Sequence, residues 1–388
     1  GGISLSSKLA KGGGYALKLP VIDISEVGAG GGSIVWQDRA GALKVGPHSA
    51  GARPGPACYD AGGTEPTVTD ANMVLGFLNP EALAGGAVPV NPERSREALR
   101  RVVAEPLGID LDRAAHGVHE LVSTVMTRAV KSVTTFRGRD PRDFAMIAFG
   151  GNGGIHSVSL ARALGVSTVI VPPGAGVLSA LGLLYADIET SASVALLQQL
   201  GLVDPDVVDH AYAALSEQVA RELSRPLEAV EVIHEADFRY RGQAFELTLP
   251  FPQGCNLTEE AARDARAGFD AAHERSYGYQ LEDTPVEIVS LRVTARVPKG
   301  AGQLPVYRSK PPAPEQRRSV YFGAEWGRQD AAVVDRAALV AGERTGPMII
   351  EEYEGTTIVP PDCTARIDIR GNIIVTLPVA ASALEAAE

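Results

Sequence analysis

Hydrophobic and polar positions along the chain switch between a period of two and a period of three to four, and each switch marks an element. Val21, Ile22 and Ile24 read as a strand that carries Asp23 into a turn made of Gly28, Gly30, Gly31 and Gly32. Ser33 then opens a returning strand through Ile34, Val35 and Trp36. This predicts a hairpin whose loop is richer in glycine than a tight turn requires, with a third short strand over 42–45. Residues 46–70 are so crowded with Gly and Pro that a long loop is expected. It ends at Asp70, which is placed to cap a helix over 70–78. A charged helix over 93–104 and a longer one over 112–136 follow. In the longer one Val118, Leu121, Val122, Val125, Met126, Ala129 and Val133 recur at three and four, the stripe of a helix laid on a sheet.

A second informative unit starts with an apolar strand over 144–149. The loop Gly150-Gly151-Asn152-Gly153-Gly154, a helix over 155–164 and a strand over 166–171 complete it, a pattern that predicts a right-handed parallel crossover. Beyond it the periods predict helices over 177–185 and 204–224, two strands within 230–250, a helix over 258–277 and a strand over 285–297. Residues 299–317 read as a linker, and 319–377 as strands and turns of a small β domain.

Composition narrows the function. The 388 residues are 45% hydrophobic and 21% charged with a formal net charge of −11, and no basic run occurs, which argues against nucleic acid or an anionic membrane as a partner. No apolar run reaches the roughly eighteen residues of a membrane span. Cys58, Cys255 and Cys363 are widely spaced and odd in number, so reduced cysteines and a cytoplasmic location are expected. The chain opens at Gly1 without a methionine and reads as a piece of a longer protein.

Two loops carry candidate chemistry. Glycines at 28, 30, 31 and 32 permit positive φ and leave room for backbone N–H groups to converge on a phosphate, while Asp23 and Glu26 on the feeding strand suit Mg²⁺. The alternative is a plain hairpin loop. The 150–154 loop at a helix N-terminus suits an anion or the sugar and base of a nucleotide, or else needs glycine only for packing. It lacks the G-x-G-x-x-G spacing of a dinucleotide site. His156, in the first turn of that helix, touches a ligand or caps. His116, His119 and Glu120 lack a third ligand and read as satisfied or exposed surface groups, and Cys58 as a small buried hydrophobe.

The blocks GAGGGSIVW, VGPHSAGARPGPACYDAGGTEPTVTDANMVLG, FRGRDPRDFAMIAFGGNGGIHSVSLARALGV, PPGAGVLSALGLLYADI, DFRYRGQAFELTLP, HERSYGY, PVEIVSLRVTARV and GPMIIEEYEGTTIVPP, in that order, resemble the hydantoinase A and 5-oxoprolinase family. N-methylhydantoinase and the large subunits of acetone and acetophenone carboxylases also belong to it. The resemblance implies an α/β chain in three parts. Residues 1–195 would be part of an actin-like ATPase domain of the sugar kinase and Hsp70 type, without its N-terminal portion. Residues 196–300 would form an α+β region, and 301–388 a C-terminal β-rich domain.

It further implies ATP and Mg²⁺ as cofactors, with Gly28, Gly30, Gly31, Gly32 and Ser33 for phosphate, Gly150, Gly151 and Gly153 for adenosine, and Asp23 for the metal. Asp23, Glu26 and His156 become the catalytic candidates. Where the later loop in the family commonly reads GGAGP, Asn152 and Gly154 differ here, while His156 matches the histidine that follows. The implied function is the ATP-binding portion or subunit of an ATP-dependent cyclic amide hydrolase that phosphorylates the amide oxygen, with a hydantoinase B-type partner subunit. The alternatives are a subunit of an ATP-dependent ketone carboxylase and a non-catalytic assembly component.

Overall fold

The structure, a computed structural model, describes residues 5–6, 21–22, 24–253, 256–298 and 311–378. Asp23, Cys255 and most of the expected linker lie outside the described residues. The chain forms two compact units, Gly1–Leu181 with Pro305–Glu388, and Gly182–Leu304.

In the first unit, the strand Ser33–Gln37 pairs with Leu43–Ser49, so the hairpin lies one turn later than expected. Its tight turn is closed by Asp38, whose Oδ1 accepts the Ala40 and Ala42 N–H groups at 3.0 Å each. The strand Val21–Ile22 pairs instead with Leu5–Ser6. The reason is that both edges of Ser33–Gln37 are taken: Ile34 bridges Thr67 on the far side, and the Val35 N–H donates to Pro66 O at 2.8 Å. The glycine turn is therefore a connector between strands that do not pair.

The loop after the hairpin is pinned by one carboxylate. Asp70 was expected to cap its helix, but the helix is Val68–Leu75, Thr67 is the N-cap, and Asp70 is the third residue of a capping box. Asp70 is fully buried, and among the described residues no cation pairs with it. Its oxygens accept from the N–H groups of Ala57 (3.1 Å), Cys58 (2.9 Å) and Thr67 (2.8 Å) and from the hydroxyls of Thr67 (2.8 Å) and Ser95 (2.6 Å). Donors in such number replace the water that burial removes.

The helix Leu111–Val133, capped by Asp110, packs its Val118 and Val122 face into the core with Leu75, Ile349 and Ile358. The crossover is present: Met146–Ile147 runs parallel to Thr168–Val171, with the helix Gly153–Leu164 between them. On the other side of Thr168–Val171 lies Ile373–Thr376, antiparallel, and the sheet continues through Thr364–Ile367 to Arg344–Thr345. Gln316–Tyr321, Arg328–Val334, Met348–Glu351 and Thr356–Val359 form a second sheet of the same unit. The C-terminal strands thus complete the first unit rather than standing as a separate β domain. The cause is shared burial: Val169 and Val171 sit in one cluster with Ile350, Val359, Ile373 and Val375.

The second unit is an antiparallel sheet in the order Leu247–Pro250, Glu231–Tyr240, Val286–Val297, Ile188–Gln199. The helices Pro205–Leu223 and Glu259–Tyr277 bury Tyr212 and Phe269 against its Phe238, Ile288 and Leu291. Among the described residues no helix is long and apolar enough to cross a membrane. Cys58 and Cys363 are free and buried, and burial pushes both thiols up to about 12.

Candidate functional site

The two glycine loops, more than a hundred residues apart in sequence, meet. The Gly31 carbonyl accepts from both the N–H and the hydroxyl of Thr69 at 2.9 Å, and the Ala50 N–H donates to Gly32 O at 2.8 Å. A Cβ on Gly31 would collide with the Asn152 side-chain amide and stand 2.7 Å from Thr69 Oγ1. A Cβ on Gly28 would stand 2.9 Å from Pro47 Cβ, and one on Gly32 2.7 Å from Ser49 Oγ. None of Gly28, Gly30, Gly31 or Gly32 has a positive φ. The expected reason for these glycines is therefore corrected: at 28, 31 and 32 they permit close approach of neighbouring elements, not left-handed backbone.

Gly30 differs from its neighbours. A Cβ there would meet nothing within 4 Å, and its N–H donates to Ser33 Oγ at 2.9 Å. Ser33, 4% exposed, has its hydroxyl engaged inside the turn. Among the described residues, the Gly31 and Gly32 N–H groups have no hydrogen-bond partner in the protein.

The second loop divides in the same way. Gly150 has φ +84° and donates its N–H to Ala175 O at 2.8 Å, a conformation that favours glycine. A Cβ on Gly154 would lie 2.5 Å from Thr356 O and 2.6 Å from Thr357 Oγ1, so this glycine lets the helix rest directly on the strand Thr356–Val359. Gly151 and Gly153 would accept a Cβ at 3.7 Å from Glu354 O and 3.5 Å from Ala148 C, ordinary contacts. Asn152 occupies the N-cap position, yet its side chain makes no capping bond; it reaches toward Gly31 instead.

A cavity of about 640 Å³ opens beside this junction, lined by Thr69, Gly151 and Asn152 and by the acids Glu81, Glu351, Glu352 and Glu354. Glu351 is paired with Arg318 at 2.7 Å and Glu352 with Arg336 at 2.5 Å. Each of these two carboxylates is neutralised by its arginine, which leaves Glu81 and Glu354 as the acids that give the lining its negative charge.

His156 lies behind the loop and not on the cavity wall. It is 2% exposed, stacked on His119 with ring centroids 4.5 Å apart. The Ser123 hydroxyl donates to His119 O at 2.8 Å, so at 3.2 Å it accepts from His156 Nδ1–H, and Nε2 is left as a buried acceptor without a partner among the described residues. Burial pushes His156 down to about 4. Burial, then the neighbouring His156 and His116, holds His119 well below the usual histidine range. Of the two expected alternatives, satisfied or exposed, His119 takes the first: it is a buried neutral ring, bonded to Asn72 at 3.0 Å. Its neighbour His116 is less buried and stands 3.9 Å from Glu120.

Glu26 is exposed and does not line the cavity, and Asp23 lies outside the described residues. No group of three or more His, Cys, Asp or Glu among the described residues could hold a metal ion. Mg²⁺ bound through nucleotide phosphates needs only one or two carboxylates, so such a cage is not its requirement. Sequence reasoning missed Thr69 as the partner of Gly31. The signal available was the Thr67-x-x-Asp70 capping box, which fixes the helix start and so places Thr69 in its first turn.

The first unit is thus α/β, its sheet completed by strands distant in sequence, with a cavity lined by Thr69 and by Gly151 and Asn152 of the second glycine loop. The chain belongs to the hydantoinase/oxoprolinase family: residues 4–192 match the family described as hydantoinase/oxoprolinase and residues 203–373 its C-terminal domain. It is 38% identical, over 96% of its length and 53% of the relative's, to an uncharacterized protein of Methanocaldococcus jannaschii. To caprolactamase subunit alpha of Pseudomonas jessenii it is 34% identical, over 95% of this chain and 56% of that one. Its structure is similar to acetone carboxylase in a nucleotide-free state, with a TM-score of 0.80 and 26% identity over 97% of this chain and 55% of the other. The chain spans about half the length of the curated relatives it matches.

Proposed function

We propose that this chain is the ATP-binding portion of an ATP-dependent enzyme that hydrolyses cyclic amides, built on an actin-like ATPase framework. The observation that carries the reading is the contact of Gly31 with Thr69 and Asn152, which brings the first glycine loop against two residues that line the cavity beside the second. The unpartnered Gly31 and Gly32 N–H groups and the open space at Gly30 offer donors and room for phosphate oxygens. The acids Glu81 and Glu354 of the lining repel a polyanion and suit the hydroxyl- and amine-bearing nucleoside, so the triphosphate lies toward the glycine turn.

When bound, ATP would pass its γ-phosphoryl group to the carbonyl oxygen of a resonance-stabilised amide and leave as ADP, so that water can add to the activated carbon, the C–N bond can break with the nitrogen taking up a proton, and phosphate can depart when a second water hydrolyses the acyl phosphate. The chain's own part is positioning and charge neutralisation by backbone N–H groups. Asp23 is the residue proposed for Mg²⁺, with Glu26 second. The cyclic amide is the substrate class because caprolactamase, at 34% identity, bears that activity in its name. A second, hydantoinase B-type subunit supplies further catalytic machinery. Free buried cysteines fit a cytoplasmic setting.

The test is ATP turnover by the intact protein with caprolactam, hydantoin or 5-oxoproline, set against acetone or acetophenone with bicarbonate. Stimulation by a cyclic amide is expected. Stimulation by ketone and bicarbonate alone would transfer the chain to the carboxylase branch, and absence of any ATP use would leave the assembly role.

A further inference from the structure

We propose that Arg336 is a positioning residue for the glycine-loop site, an inference that rests on the ATP-binding reading above. Its side chain is 3% exposed. Nε and Nη2 form a fork with the Glu352 carboxylate at 2.6 and 2.5 Å. Nη1 donates to Val171 O at 3.0 Å and Gly371 O at 2.6 Å, and Nη2 also donates to Pro172 O at 3.1 Å.

These partners belong to two sheets that strand pairing does not join. Val171 ends Thr168–Val171 in one, and Glu352 follows Met348–Glu351 in the other. Two of these partners, Pro172 and Glu352, also start loops that shape the site. From Pro172 the chain runs to Ala175, whose carbonyl receives the Gly150 N–H at 2.8 Å. From Glu352 it runs to Glu354, which lines the cavity and packs so tightly on the 174–177 loop that a Cβ on Gly176 would stand 2.6 Å from Glu354 Cβ. One guanidinium therefore sets the spacing of both loops against Gly150 and Gly151. Only a planar fork with five donors can serve a carboxylate and three carbonyls together; an ammonium of the same charge cannot.

The experiment uses Arg336→Lys and Glu352→Gln in the intact protein, the second being the milder lesion should the first fold poorly. Arg292→Lys, at the Arg292–Asp237 pair of the second unit (3.1 Å), controls for loss of a largely buried ion pair that has no part in the bonds Arg336 makes to the loops of the site. Calorimetry with ATP reads the dissociation constant, thermal melting reads stability, and hydrogen exchange reads the 150–154 and 172–177 amides. The expected result is an affinity loss of about tenfold in both site variants, as for loops that must be ordered again on binding, with faster exchange in both loops. The control lowers the melting point without changing affinity. Affinities within about twofold of wild type in folded variants, with unchanged loop exchange, would overturn the positioning role. Wild type that binds no ATP would instead overturn the ATP reading, and loop exchange alone would then decide for Arg336.

Discussion

The two glycine loops look alike in sequence and are held in place by different physics. In Gly28–Ser33 the obligatory glycines, 28, 31 and 32, have ordinary backbone angles and are needed because Pro47, Ser49, Thr69 and Asn152 come too close for a Cβ. In the 150–154 loop the obligatory ones are Gly150, for its left-handed φ of +84°, and Gly154, for its contact with Thr356 O. What remains once packing and φ are accounted for is Gly30 in the first loop and Gly151 and Gly153 in the second. The fold does not require these to be glycine, and the nucleotide site proposed above gives them a reason to be. Glycine count alone marks a loop; the space around each glycine separates structure from function.

The largest effect on stability is expected where packing leaves no choice. Gly154→Val should cost at least about 2 kcal/mol, the scale of an overpacked core position, seen as a lower thermal midpoint. Gly153→Ala should stay within about 0.5 kcal/mol of wild type, as at a position without such contacts. Equal midpoints for the two variants would break the distinction.

The loops also differ in what stands behind them. The first is braced through the Thr67–Asp70 capping box, the second by the stack of His156, on the helix it opens, against His119 of Leu111–Val133. A histidine held neutral in the fold but free to protonate near 6.5 when unfolded makes unfolding take up a proton in acid. Its contribution is whole above about 6.5 and is lost as pH falls toward about 4, where His156 itself protonates. His156 should steepen the fall by about 1.4 kcal/mol per pH unit across that window. Urea midpoints from pH 7 to 4 check this, and His156→Gln should flatten the profile. A profile unchanged by that substitution would remove the stack from the account.

Sequence made the local elements legible and the long-range ones not. The helices expected over 112–136 and 258–277 are found at Leu111–Val133 and Glu259–Tyr277, because apolar period is local chemistry. The 144–171 crossover is likewise readable from period and loop length, although its first strand shrinks to Met146–Ile147. The pairing of Ile373–Thr376 with Thr168–Val171 was hidden, since an apolar strand pattern does not name its partner across two hundred residues. For the same reason the glycine turn read as a hairpin when Ser33–Gln37 had other partners on both edges. Gly31 was flagged for the right neighbourhood and the wrong reason. Arg336 was invisible because nothing in the sequence distinguishes a buried arginine from a surface one.

The most direct test of the central claim is Gly30→Val in the intact protein, with ATP affinity and thermal midpoint measured on the same sample. The added side chain meets open space in the protein and no positive φ, so the midpoint should stay within about 0.5 kcal/mol of wild type. ATP binding should fall below detection, because the branched side chain occupies the room proposed for phosphate. Unchanged ATP affinity in a protein of unchanged stability would contradict the account, and the Gly28–Ser33 turn would then be a connector only.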